Sequence, residues 1–245
     1  MKTWIVFWNI VLKDIRTYYL KPPNISWGLI FPLAWAGMIF IKTEMKPHEI
    51  TGILPGLIAV AVLFGTTSLV AVTITFEKRG RSFERLLLAP VSLELLMFAK
   101  TAGAIMFGVV NGFIPVILAA SITKLEVFSW LAFLSGIFLL AVSATFMGLL
   151  VAVSVSEVFE AQAISNFFRF PMIFLCGFFY PVSKLPDILR ILSYILPPTY
   201  GVDILRWSIT HVADMDITLD FTILILFCIF LFLLSLRIIR RRWIS

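Results

Sequence analysis

Charge is the first thing this chain has little of. Of 245 residues, 20 are Lys or Arg and 14 are Asp or Glu, or 14% in all. A soluble domain would carry about 25%. The few charges are gathered into short blocks between apolar runs, and 60% of the residues are hydrophobic. That excludes an ordinary water-soluble globule and implies a polytopic membrane protein. Cysteine is nearly absent: Cys176 and Cys228 both lie inside apolar runs, so no disulfide is expected. There are two histidines, His48 and His211. The stretch His211–Asp216 does not put its ligand-type side chains on one helical face, so no metal site is expected. No Gly-x-x-x-x-Gly-Lys-[Ser/Thr] occurs, so no phosphate cradle for ATP is expected in this chain. No Gly-x-Ser-x-Gly or paired-carboxylate arrangement suggests a membrane hydrolase. The first 20 residues carry Lys2, Lys13, Asp14 and Arg16 with no Ala-x-Ala after them, which argues against a cleavable signal peptide.

What is present is apolar and periodic. Residues 3–20 read as an amphipathic helix lying on the membrane. Trp4, Trp8, Leu12, Ile15 and Tyr19 share one side, and Asn9, Lys13 and Arg16 the other. Six apolar runs follow, near 25–41, 53–76, 98–120, 128–153, 162–180 and 219–239. Lipid cannot satisfy an open backbone, so each is expected to be a helix, giving an all-α membrane fold. With the N-terminus inside, thirteen of the 20 basic residues fall on the inner side, six fall outside, and Arg169 lies within the fifth run. The positive-inside rule therefore places both termini in the cytoplasm. The net charge of +6 follows from that topology and does not imply nucleic acid. Residues 181–218 read as two short outer helices broken at Pro197 and Pro198, each too short to span. Gly103, Gly108, Gly136 and Gly148 permit close helix packing, and the 24 Phe residues fill space against lipid or line an aromatic path.

Between the second and third runs stands FEKRGRSFERLLLAPVS, residues 76–92. Gly80 weakens the incoming helix and Ser82 is placed to cap a new one. Phe83, Leu86 and Leu87 recur at helical spacing with Arg81, Glu84 and Arg85 between them. Pro90 stops the helix, and Ser92 is placed to cap the next. From periodicity alone this is an amphipathic loop helix on the basic side.

Glu77–Lys78–Arg79–Gly80, Phe83–Glu84–Arg85–Leu86–Leu87, Ala89–Pro90–Val91–Ser92 and Lys100 together resemble the signature of the ABC-2 type transporter permeases. Asn166–Arg206 is similar to that family's fifth span and outer re-entrant segment, in Gly-Phe-Phe-Tyr-Pro, Leu-Pro, Pro-Thr-Tyr and Asp203-x-x-Arg206. The resemblance spans essentially the whole chain and is nearest to the daunorubicin-resistance and nodulation exporters. Two departures stand out: Arg81–Ser82–Phe83 where Gly-Thr-Leu is usual, and Ala89 where Thr is common. The resemblance implies six spans and a dimer with a second permease copy. It also implies a separate ABC ATPase subunit carrying ATP and Mg, and outward movement of an amphipathic drug, lipid or lipid-linked glycan through the inner membrane. Residues 77–92 become the coupling helix, with Glu77, Arg81, Phe83, Glu84, Arg85, Leu86 and Leu87 as contacts to the ATPase. The apolar side of that helix is expected to fill a groove on the partner.

Arg169 is costly inside a span. It either snorkels to the surface or contacts substrate or a second subunit. Glu157 and Glu160 at the start of that span read as solvated acids, with a second ATPase contact as the alternative. An ion-coupled secondary transporter or channel is the rival reading, and it needs ionisable groups at mid-depth. Arg169 is the sole candidate, and no acid sits mid-span. A membrane-embedded enzyme would need His, Asp or Ser clustered at one depth, and no such cluster is evident.

Overall fold

The computed structural model describes residues 2–19, 21, 25–42, 47–88, 91–125, 127 and 129–243, and these are helical with no strand among them. The order is α1 (Lys2–Asp14), a π turn (Ile15–Tyr19), a second π turn (Ser26–Ile30), α2 (Phe31–Lys42) and α3 (Pro47–Arg79). Then come α4 (Ser82–Leu87), α5 (Leu93–Ile122), α6 (Trp130–Ser154) and α7 (Val158–Leu175). A 3-10 turn (Val182–Lys184), α8 (Asp187–Tyr194), α9 (Pro197–Thr210) and α10 (Ile217–Trp243) complete the chain.

α3 is the central post. Its sequence is apolar on every side from Ile53 to Phe76, and such a helix is buried all round. It packs against α5, α6, α7 and α9. Two of the hydroxyls along it are absorbed nearby: Thr66 donates to the Val62 carbonyl at 2.9 Å, and Thr67 to Ala144 O on α6 at 3.3 Å. Gly148 of α6 lies so close that a Cβ there would sit 2.3 Å from the Thr67 carbonyl oxygen. Gly103, Gly108 and Gly136 are approached in the same way by Tyr19, Thr66 and Ile204. All four glycines expected to allow close packing therefore do so.

The core has two main clusters. One gathers Ile58, Leu63, Phe133, Ile137, Phe178 and Leu205. The other, at the basic end, gathers Ile10, Ile74, Phe83, Met97, Phe146 and Ile239.

Among the described residues, four helices are long and apolar enough to cross a membrane: Glu49–Arg79, Leu93–Ile122, Trp130–Ser154 and Ile217–Arg241. The bent pair α8 and α9 makes a fifth if it counts as one span. The other two expected spans differ from this type. The first is divided between the π turn Ser26–Ile30 and α2. The fifth starts early, at Val158 behind a Glu157–Glu160 capping box, and stops early, at Leu175, where Gly177 adopts a left-handed φ of 76°. It also carries Glu160, Gln162, Asn166 and Arg169, which lower its apolarity.

The N-terminal helix exposes Trp4, Trp8 and Leu12 as expected, and buries Val11 and Asp14. Tyr19 departs from its predicted side. The π turn Ile15–Tyr19 adds a residue to the helical repeat and swings that ring into the core, where its hydroxyl donates to Lys100 O at 3.2 Å. In the outer segment the break falls at Ile195–Leu196. Pro197 and Pro198 start α9, where a missing N–H costs nothing. The two helices meet at 94°. α9 is buried against α6 and α10, whereas α8 exposes Ile188, Ile191 and Ile195.

Candidate functional site

The basic end is held by a knot of four charges from three helices. Lys100 of α5 bridges Asp14 at 3.0 Å and also pairs with Glu77 at the end of α3. Lys13 reaches the same Glu77 and lies 3.0 Å from Asp14. Asp14, Glu77 and Lys100 are at most 1% exposed, so this is a buried network and not surface decoration. Burial raises the Asp14 carboxyl above its ordinary range, against the pull of Lys100. For Lys13, burial works downward, but the hydrogen bond to Glu77 and the field of Asp14 outweigh it, so its ammonium is held above the usual lysine value.

Three residues beyond Glu77 the chain turns. Helix α3 ends at Arg79, Arg81 takes a left-handed φ of 54°, and α4 begins at Ser82. Ser82 does not cap α4. Its hydroxyl donates back to Glu77 O at 3.1 Å, tying the turn to the knot. Ser92 does cap α5, accepting from Leu95 N at 3.3 Å. Within α4, Phe83 is buried edge-on against Trp243 of α10, ring centres 4.8 Å apart, and Leu86 and Leu87 are half-buried in the same cluster. The expected orientation is thereby reversed, because the apolar side of α4 packs on its own chain. Arg81, Arg85 and Leu88, which is 85% exposed, face outward. Glu84 belongs to α4, and Glu77 is spent in the knot. Periodicity could not tell an inward face from an outward one, and Leu88 lay one residue past the predicted face.

Arg79 pairs with Glu157 at 2.6 Å, and Glu160 accepts from the backbone N–H of Ser156 and Glu157 at 3.4 Å each. These acids therefore tie α3 to α7 and cap α7, and are not merely solvated. Lys78 lies 4.5 Å over the Trp243 ring, and Arg240 pairs with Glu94. The basic end is a collar of such contacts, which α6 joins through Val155 O, the acceptor of Lys78 at 3.5 Å.

Arg169 does not snorkel. It is 1% exposed, with its guanidinium 4.3 Å over the ring of Phe64, one residue past the midpoint of α3. One nitrogen donates to Asn166 Oδ1; Nε and the other terminal nitrogen have no partner. At the far end of the molecule, Asp203 accepts from the N–H groups of Asp214 and Met215, each at 2.9 Å. Asp214 accepts from Val182 N at 2.8 Å and from Arg206 at 3.0 Å. Arg206 also donates to Gly177 O. The Asp203-x-x-Arg206 pair thus locks α9 to the turn after α7, and His211 ends α9 in a left-handed cap at φ 60°.

Cavities flank α7 on more than one side. One of about 480 Å³ runs between α3, α7 and the Ser26–Ile30 turn. Another, about 580 Å³, is walled by Met147, Leu150, Phe168, Met172, Phe227 and Phe230.

The model of the ABC-2 type transporter family matches residues 5–210. The chain is 26% identical over 246 residues to the inner membrane transport permease YadH of Escherichia coli K12, covering 97% of this chain and 96% of that one. It is 24% identical over 250 residues to nodulation protein J of Bradyrhizobium diazoefficiens, covering 98% and 91%. A 78-residue stretch, 32% of this chain and 30% of the relative, is 35% identical to nodulation protein J of Sinorhizobium fredii.

Proposed function

The chain belongs to the ABC-2 type transporter family, and from that premise we propose that it is the permease of an exporter powered by a separate ATP-hydrolysing subunit. It is a membrane transport permease with multiple apolar helices, of the inner-membrane kind. In the proposed arrangement the basic end faces the cytoplasm, six segments cross the bilayer, and two copies pair. ATP and Mg stay on the partner, and an amphipathic drug, lipid or lipid-linked glycan moves outward.

The observation that carries this is the mounting of α4. A six-residue helix gains little stability of its own, since nucleation is costly. Here it is pinned on one side by Phe83 and tethered through Ser82 to the knot. Its outer side offers two guanidiniums and one bare leucine, a mixed surface suited to a protein groove that also orients its partner. A displacement of α4 would reach α1, α3 and α5 together through Glu77.

The test is a mild-detergent pull-down from native membranes, read by mass spectrometry. A stoichiometric ATPase is expected, and Leu88→Asp should lose it while keeping a monodisperse permease. Leu87→Asp should instead damage the fold, because that side chain is half-buried. A chain that purifies alone yet moves solute under an ion gradient would overturn the reading in favour of a secondary transporter.

A further inference from the structure

The groove between α3 and α7 leads from the basic collar to Phe64, and Arg169 is buried against that ring, just outside the groove's lining. Arg79 lines its mouth, and Phe64, on which Arg169 stacks, lines its inner end. Fifteen residues of α3 separate the two, or about 20 Å of helix. Along it lie Leu69, Val72 and Phe159, an apolar wall, with Gln162 also on the α7 side; Ser68 lies one turn from Phe64.

A guanidinium buried without a carboxylate is expensive, by several kcal/mol even after relaxation. Arg169 has one neutral amide partner and two idle donors. Two nearby hydroxyls, Ser165 one turn earlier on α7 and Ser68 one turn from Phe64, are also buried with no partner. Unused donors around one buried cation need an acceptor to complete them. A second copy of the chain has no described carboxylate to supply at that depth, because Glu77 and Asp220 stand at the ends of their helices and are themselves buried.

We propose that this groove binds an amphiphile with an anionic head, a phosphate or carboxylate. Its head is completed by Arg169 with Ser165 and Ser68, and its tail lies along Leu69, Val72 and Phe159. This deepens the permease reading, and rests on it only in treating the bound molecule as cargo. It selects against cationic amphiphiles, which would bring a second positive charge into a site of low dielectric.

The purified full-length chain in phosphatidylcholine nanodiscs is titrated with dodecyl phosphate below its micelle concentration. Dodecyltrimethylammonium is the control, and the thermal midpoint is the readout. Dodecyl phosphate should raise the midpoint by several degrees and the cation should not. Arg169→Gln should weaken the apparent affinity at least tenfold, and Arg169→Lys by less. Without ligand, Arg169→Gln should melt no lower than the natural chain, because it removes an uncompensated charge. Should that variant fail to fold, Ser68→Leu decides, since it fills the groove and leaves Arg169 in place; it too should abolish the response. Equal shifts for both amphiphiles, or an undiminished response in the variants, would overturn the proposal. Repeating the titration in phosphatidylglycerol nanodiscs separates the two sources of such a head. A response abolished there means that a membrane lipid fills the site; a response retained means a distinct amphiphile. No step depends on ATP or on a partner, so failure here leaves the pull-down result standing.

Discussion

At the scale of single residues, the basic end is defined by charges that cannot be removed one at a time. Taking one member from a buried ion network leaves the rest uncompensated, at about 3–5 kcal/mol. Lys100→Met should therefore lower the thermal midpoint of the detergent-solubilised chain sharply, followed by size-exclusion recovery after heating; an unchanged midpoint would mean that water reaches Asp14 and Glu77. Asp203→Asn should cost less, about 1.5–3 kcal/mol, the range for hydrogen bonds to a charged group. Its damage should be confined to the outer end, where limited proteolysis between α8 and α10 would increase. Glu77 shows what sequence could and could not tell. Its place before Gly80 and its acidity were plain, and the family resemblance gave it a coupling role. Its three-dimensional partners, Lys13 and Lys100, lie 64 and 23 residues away, and no local pattern announces such pairs.

Helices show the same division. Composition and periodicity located the long spans near 53–76, 98–120, 128–153 and 219–239, because apolar length is a direct physical requirement of the bilayer. The N-terminal helix and the paired outer helices were also legible, from their aromatic stripe and their prolines. The direction in which a short amphipathic helix faces was not. α4 has one apolar side, and in this chain Trp243, more than 150 positions later, claims it. The π turn at Ile15–Tyr19 was equally hidden, since no residue type demands it. Between helices the tolerance is small. Gly148→Val would drive a side chain into the α3 backbone at Thr67, and overpacking of this sort costs about 1–3 kcal/mol. Reduced yield of folded protein in detergent is expected, with Gly37→Ala, where nothing lies within 4 Å, as the neutral control.

Taken whole, the molecule is a bundle around one post; among the described residues the long-range charge pairs lie at two ends, and Arg169 lies between them without a carboxylate. Helices of 30 and 33 residues measure about 45–50 Å, against a hydrocarbon slab of about 30 Å. Both are longer than the slab, and in the proposed arrangement the knot and α4 stand at the headgroup level. With Cys176 and Cys228 buried, a single cysteine at Arg85 should be labelled by an impermeant reagent only in inverted vesicles, and one at Asp187 only in right-side-out vesicles. Labelling of both from one side would refute the proposed orientation.

The knot also bears on how the protein is made. Asp14 leaves the ribosome early, but its partner Lys100 is 86 residues behind it. At ~5–20 residues per second that is a delay of roughly 4–17 s. Until Glu77 is made and can pair with Lys13, the first helix has its tryptophan face to hold it against the membrane surface. Closure of the whole knot waits for Lys100, and a nascent chain halted before residue 100 would leave Asp14 buried without that partner.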